Sequence, residues 1–551
     1  MSEPVGDSFR FIRHAKLVGF ITFLSRIVGL LREQIAAHYF GAHWIWSAWK
    51  IAFTIPNLFR KLLGEGALSA AFIPIYVQAF RRRSVDVNSP DHVAFAASAG
   101  KLLVILLLFV TIVIELLLLG LFQFVDRPDW VIAIKFTAIM LPYVMLVCLT
   151  ALLSGVLQAH ERFSAAAATS IVLNLCLIAS IVGAARFFDL RTDAGIASAC
   201  FALAWAVLVA GGLQLLILVP SLRASGFRFR SPLGLKNPLM RKLVRMTIPV
   251  AIGASVLQIG VLLDKGIAFF LSQAPGVDRF DFLGNSLRLP MAEGAVARLD
   301  LAQFMYQFPL GVFAIALATA IFPKLAGDAD TSGPIAPTDS FRDVLRRGIE
   351  ASLFIGLPAS IGMILVARPA IELLFRHGQF TAEDAARCAL STAIYSGAIW
   401  AFSLLQIINR ACYALHDTRT PLIWTLINLI INIIVEIPLV WTGLGESGMA
   451  IGTLVSFTIQ AIVMTLLVAR RAGVDLRQSF NRVLKMIVAT VVMGAVCFGI
   501  DRIIGWSDSS ARLIVGARLV TIMVVGGATY LLCVVLLKLP VGSIIKRRTV
   551  T

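Results

Sequence analysis

Five cations and two carboxylates are set into a stretch of chain that is otherwise apolar enough to cross a membrane twice. Between Ser25 and Pro74 the sequence carries Arg26, Arg32, Glu33, Lys50, Arg60, Lys61 and Glu65. On insertion scales a charge at the centre of a membrane helix costs roughly 2.5–3.5 kcal/mol, so such a run cannot face lipid. The charges must face one another or a water-filled space inside a bundle. Ser47, Lys50, Thr54, Asn57 and Lys61 recur at helical spacing along one face, and Arg60 and Glu65 are expected to extend it past a kink at Pro56. Internal pairing accounts for part of the set, because Glu33 and Glu65 can neutralise two of the cations. Snorkelling to the surface is open to Arg60 and Lys61, but Arg26 is flanked by apolar chain on both sides. The excess charge is positive. Guanidinium groups fork onto phosphate oxygens and an ammonium adds a point charge, so a lipid-borne diphosphate fits that excess best.

A second polar set stands in the other half of the sequence. Asp264 interrupts an apolar run with Lys265 beside it, Asn432 and Glu436 are one helical turn apart, and Thr453 follows in the next apolar segment. Carboxylates, an amide oxygen and a hydroxyl are hard ligands suited to Na⁺ or to a proton relay. The bland alternative is an Asp264–Lys265 pair and a Glu436 near the outer interface. Glu115, Lys135 and Arg410 are single charges, read as snorkelling or structurally paired.

The elements that must position these groups follow from composition. The chain has 551 residues, 58% hydrophobic and 15% charged, with a mean hydropathy of +0.87. That is the profile of an all-α polytopic membrane protein. A formal charge of +18 would suggest nucleic acid in a soluble protein, but no soluble basic domain exists to carry it, and nucleic acid is excluded as a partner. The seven cysteines form no CxxC pair and the seven histidines no HExxH spacing, so no disulfide framework or zinc site is indicated. Arg10, Arg13 and Lys16 precede an apolar run broken by Arg26, which reads as an uncleaved first span rather than a signal peptide.

Spans can be placed about fourteen times, the first at 17–40, the second at 44–80 and the eighth at 296–326. An even count puts both termini on one side. Lys and Arg in alternate loops favour the side of the termini by more than two to one, which places both in the cytoplasm. Segment 327–341 is rich in Gly, Pro, Ser, Thr and Asp and reads as a linker near the middle of the chain. Ala67–Pro74 and Ala316–Pro323 are similar, as are Gln158–Arg162 and Ala414–Thr418, each pair six spans apart. Parallel six-helix repeats are a transporter architecture with the substrate site between the halves. The expected organisation is 1–235 (six spans), 236–475 (six spans) and 476–551 (two appended spans).

The string SRIVGLLRE…FGA…IPNLFRKLLGEGALSAAFIPIY, with LFRHGQFT at Leu374–Thr381 and ACYALHDTRTP at Ala411–Pro421, resembles the MurJ (MviN) family of lipid II flippases within the multidrug/oligosaccharidyl-lipid/polysaccharide exporter superfamily. The resemblance spans nearly the whole chain. It implies fourteen helices in two lobes, a groove for an undecaprenyl tail in the last two, and a cationic cavity taking the headgroup by alternating access. It assigns flipping roles to Arg26, Arg32, Arg60 and Glu65; the charges themselves add Lys50 and Arg298 as expected headgroup contacts. It also implies a sodium site at Asp264, Asn432, Glu436 and Thr453. Three positions depart from the family pattern: Ser47 replaces an acid, Thr54 replaces a lysine, and Gln303–Phe304 replaces an Asp–Arg pair. Arg298 and Asp300, one to two turns earlier, are the candidates to substitute for that pair.

The leading expectation is therefore a monomeric inner-membrane flippase, not an enzyme, with a lipid-linked anionic diphosphate as partner and Na⁺ as the only cofactor in question. The alternative is export of another lipid-linked glycan, or drug/cation antiport. A membrane glycosyltransferase would need an acidic pair in a sizeable outer loop, and Asp278, Asp281 and Glu293 form no such pair. A scaffold would not need buried cations at all.

Overall fold

In hydrocarbon every backbone amide must be satisfied internally, and long helices do this within one segment. The computed structural model describes residues 5–85, 91–227, 237–282, 284–311 and 338–504, then 512–539, together with 317, 321 and 325. Contact clustering divides the chain into two compact units, Met1–Leu289 and Pro290–Thr551.

The first unit opens with α1 (Val5–Phe40) and a broken rod of α2 (Trp44–Phe59), a π-helical segment Arg60–Ala67 and α3 (Leu68–Val85). α4 (His92–Phe122), α5 (Pro128–Met140), α6 (Tyr143–Ala159), α7 (Phe163–Phe187) and α8 (Asp193–Ala224) follow. The unit closes with α9 (Pro238–Phe270) and a two-stranded hairpin, β1 (Arg279–Phe282) and β2 (Asn285–Arg288). The helix at 238–270 belongs here because it packs on α2, the π segment and α3. The hairpin is absent from the sequence reading of this loop; four-residue strands on an exposed turn leave too short a hydrophobic pattern to read.

The second unit contains α10 (Ala295–Pro309), α11 (Asp339–Phe375), α12 (Ala382–Ser396), α13 (Ile399–Ala414) and α14 (Arg419–Leu439). A π-helical turn Val440–Leu444 leads to α15 (Glu446–Ala472), α16 (Arg477–Ile504) and α17 (Arg512–Leu536). Its core joins Phe341 and Leu345 of α11 to Ile407 and Ile408 of α13, Met464 of α15 and Met493 of α16. The last two helices are fastened to α11 by polar bonds as well: Tyr530 donates to the Phe354 carbonyl at 2.8 Å, and buried Glu350 accepts from Ser479 and Arg482.

Among the described residues, nine helices are long and apolar enough to cross a membrane, or eleven when the bent pairs α5–α6 (42°) and α12–α13 (40°) each count once. The fold is all-helical and membrane-spanning, and a count of fourteen is not established. The expected spans outside that set are 17–40 and 44–80, which carry the charges, and 296–326, part of which lies outside the described residues. The expected linker 327–341 is outside them up to 337; Thr338 already caps α11, accepting from the Phe341 amide. The repeat Ala316–Pro323 also falls largely outside. The other repeat pair is visible: α6 and α13 both close with a left-handed non-glycine residue, Glu161 and His416. In each, the next amide reaches back five residues, Arg162 to Leu157 and Asp417 to Cys412.

Helices α14 and α15 meet at glycines. A Cβ at Gly452 would lie 2.8 Å from the Glu436 Cβ, and one at Gly448 2.7 Å from the Val440 amide nitrogen. Gly448→Ala is expected to lower the melting temperature in detergent by overpacking worth about 1–3 kcal/mol. Gly212→Ala, where a Cβ meets nothing within 4 Å, is the control and leaves it unchanged or slightly raised.

Candidate functional site

Helices α1 and α2 bring part of the sequence-predicted charge set together around one carboxylate. Glu33 accepts from Lys50 Nζ at 2.7 Å through one oxygen and from Arg32 through the other. Glu33 and Lys50 are 6% and 7% exposed, so this pair is sealed from solvent, whereas Arg32 is partly open and also donates to Asn174 Oδ1 of α7 at 3.0 Å. One acid thus serves two cations, and these three side chains together carry a net positive charge. Its floor is aromatic: Lys50 sits 5.1 Å over the Trp46 ring, and Phe40, Trp46, Trp49 and Phe53 stack in succession at about 5 Å.

The polar face read from spacing runs from inside to outside. Ser47, Lys50 and Thr54 are buried, Asn57 is half-buried and Lys61 is exposed. Thr54 returns its hydroxyl to the Lys50 carbonyl at 2.9 Å, and Arg60 Nε donates to Asn57 Oδ1 at 2.9 Å. Arg26 is half-buried on α1 and has no hydrogen bond or ion pair among the described residues. Glu65 lies in the π segment, but its side chain is outside what is described. Lys135 lies over the Phe122 ring at 5.6 Å, as a snorkelling lysine does.

In the second unit Arg298 is almost fully engaged. Nε and Nη2 bind both oxygens of Glu446 at 2.8 and 2.7 Å, and Nη1 binds Asp384 Oδ1 and the Glu293 carbonyl at 2.9 Å each. Four of the five guanidinium donors are therefore spent on tying α10 to α12 and α15. Asp384 is itself fixed as part of a capping box with Thr381. Glu446 and Asp384 could not be read as partners from spacing, because both sit at helix starts more than 80 residues away.

Three of the four expected ion ligands are in this unit. Asn432 donates to Glu436 Oε2 at 2.9 Å, and Ser456 donates to both Asn432 Oδ1 and the Thr453 carbonyl, at 3.4 and 3.2 Å. All four groups are buried. Asp264 is half-buried on α9, in the other unit. No group of three or more His, Cys, Asp or Glu side chains converges among the described residues. The donors present are one carboxylate, one amide and two hydroxyls, which suit a hard monovalent cation and not a transition metal. Ser456 was missed by the sequence reading, although it stands one turn after Thr453; Asn174, an amide alone in an apolar run, was legible but unused.

The ACYALHDTRTP motif is structural here. Asp417 accepts from the Arg419 and Thr420 amides, the Thr420 hydroxyl and Arg471. Burial pushes its carboxyl pKa up, but these bonds outweigh burial and hold it below the ordinary value.

Breaking the sealed pair tests the arrangement. Glu33→Ala strands Lys50 in an apolar site and is expected to cost about 3–5 kcal/mol, read as a lowered melting temperature in detergent. Glu33→Ala with Lys50→Met is expected to recover most of that loss.

Comparison with known proteins places these features in context. A family model described as "Lipid II flippase MurJ" matches residues 36–516. A protein described as "Probable lipid II flippase MurJ" from Rhizobium tropici is 30% identical over 488 residues, 87% of this chain and 85% of its own length. Another of the same description from Vibrio cholerae serotype O1 is 27% identical over 512 residues, 91% of each. Among solved structures, "Lipid II flippase MurJ, inward closed conformation" aligns with a TM-score of 0.72 at 22% identity, covering 95% of this chain and 99% of that one. An inward-facing multidrug resistance transporter of the MATE family, in the MOP superfamily, aligns with a TM-score of 0.61 at 15% identity over 83% of this chain and 98% of that one.

Proposed function

The chain belongs to the lipid II flippase MurJ family, and from that membership we propose that it carries an undecaprenyl-linked peptidoglycan precursor from the inner to the outer leaflet by alternating access. It is an integral membrane protein whose cargo is lipid-linked. Its placement in the bacterial inner membrane with both termini cytoplasmic follows the Lys/Arg bias of the loops. The proposal includes a monomeric protein that makes and breaks no bond in its cargo.

The observation that carries this reading is the cluster on α1 and α2. Lys50 is locked onto Glu33, and Arg26, Arg32 and the Asn57-bonded Arg60 are the groups proposed to meet an incoming diphosphate. Arg32 has a partner on each side but remains partly open, and Arg26 has none among the described residues. Glu65 enters as the expected counter-charge in the π segment. Arg298 is proposed as a tie within the second unit, because its donors are already committed, and the place of the missing Asp–Arg pair at Gln303–Phe304 is left to Asp300.

The coupling ion proposed is Na⁺, held by Glu436, Asn432 and Thr453. It would supply a positive charge that turns the Asn432 amide oxygen and the Glu436 carboxylate toward one point. Asp264, expected from the sequence as a fourth ligand, stands in the first unit and is not counted with these three.

Complementation of a strain depleted of its own lipid II flippase is the decisive measurement. The parent protein is expected to restore growth; Arg26→Ala and Arg32→Ala are expected to abolish it while the protein stays in the membrane at normal abundance. Growth retained with both changes would remove the cationic site from the mechanism. Failure of the parent chain would instead favour export of another lipid-linked glycan, which the departures at Ser47 and Phe304 leave open. For the ion, Na⁺ is expected to raise the melting temperature of the purified protein relative to K⁺. Glu436→Gln is expected to remove that increment, and a parent protein indifferent to Na⁺ rules the site out.

A further inference from the structure

The hairpin between α9 and α10 places two arginines side by side in the tightest pairing a β-ribbon offers. Arg279 and Arg288 are directly opposite in the antiparallel register. One step toward the base of the hairpin, the Leu289 amide donates to the Asp278 carbonyl at 2.7 Å. Because hydrogen-bonded and non-hydrogen-bonded pairs alternate, Arg279 and Arg288 form a non-hydrogen-bonded pair, whose Cα atoms lie about 4.5 Å apart with side chains at closest approach. Like charges so placed repel and weaken the strand pair. Both residues are exposed, and neither has a hydrogen bond or ion pair among the described residues, although exposed Asp281 shares their face.

The opposite face is rooted. Phe280 meets the Phe270 ring edge-on at 5.7 Å, Leu289 is fully buried, and Gln273 donates to the Leu289 carbonyl at 2.9 Å. Arg127 shows how a cation beside this element is normally disposed of: it is forked onto Asp129 and caps the Phe270 and Ser272 carbonyls. The arginine pair has no such outlet. Phe270 ends α9 and meets Phe280, while its neighbour Phe269 meets Trp130 edge-on at 5.2 Å, aromatic residues of the kind found at headgroup level.

We propose that Arg279 and Arg288 form an anion clamp for the phosphate of a lipid seated in the outer leaflet. Two parallel guanidinium forks from adjacent strands offer donors to neighbouring oxygens of one phosphate, and the bound anion cancels the repulsion that otherwise opposes the strand pair. A phosphodiester headgroup and a lipid diphosphate share this chemistry. The outward placement rests on the orientation proposed above. Binding itself does not, since it is measured on purified protein whether or not transport occurs.

The full-length protein in detergent is titrated calorimetrically with inorganic pyrophosphate and, separately, with dihexanoyl phosphatidylglycerol. In the parent, saturable binding of at least one probe is expected. Arg279→Gln combined with Arg288→Gln is expected to weaken it about tenfold or more. Arg288→Glu, which turns a repulsive pair into an attractive one, is expected to abolish it without lowering the melting temperature. Dependence on the pair for both probes identifies a general headgroup site, and dependence for pyrophosphate alone identifies a site for the transported diphosphate. Undiminished binding in the double variant, absence of binding in the parent, or loss of binding only alongside a lowered melting temperature in all variants overturns the proposal.

Discussion

The charge on Glu33 governs what the rest of the first unit can do. A carboxylate sealed between two helices is tolerable only when cations satisfy both its oxygens, and Lys50 and Arg32 do so from α2 and from its own helix. Their geometry ties α1 to α2 at this level and, counted over these three side chains, leaves one surplus positive charge. Asn174 then holds the outer face of Arg32, bringing α7 into the same arrangement. The second unit repeats the device with the signs reversed: one guanidinium, Arg298, is satisfied by Glu446 and Asp384 and draws three helices together. In both units a single buried charge positions helices that apolar packing alone would let slide.

Most of the architecture was legible because hydrocarbon imposes a simple rule on sequence. Twenty apolar residues in a row have one economical conformation, the helix that satisfies its own backbone. The grouping of Asn432 with Glu436 was equally readable, since residues one turn apart on a helix must share a face. Pairing across helices was another matter. That Glu33 would choose Lys50, and that Arg298 would be consumed by Glu446, depends on how remote segments dock, and no spacing rule reaches that far. The hairpin and its arginines escaped for the opposite reason: the signal is local but too short to rise above a turn.

A lipid II flippase structure and a multidrug transporter structure share the fold of this chain, and a fold by itself names no cargo. What separates such proteins lies in a few polar side chains on a shared apolar scaffold. In this chain the polar side chains on α1 and α2 include a half-buried Arg26, a Glu33 shared by two cations and a buried hydroxyl at Ser47.

The π-helical stretch Arg60–Ala67 has a consequence for anyone reading this rod on a helical wheel. Wherever the chain closes on the fifth residue instead of the fourth, one extra residue is absorbed, and everything downstream is turned back by about 100°. A stripe drawn upstream at 3.6 residues per turn therefore loses its phase by Leu68, where Phe72 and Tyr76 take up the inward direction. The rod behaves as two screws of different pitch cut on one shaft: what α2 turns toward its neighbours says nothing about what α3 will.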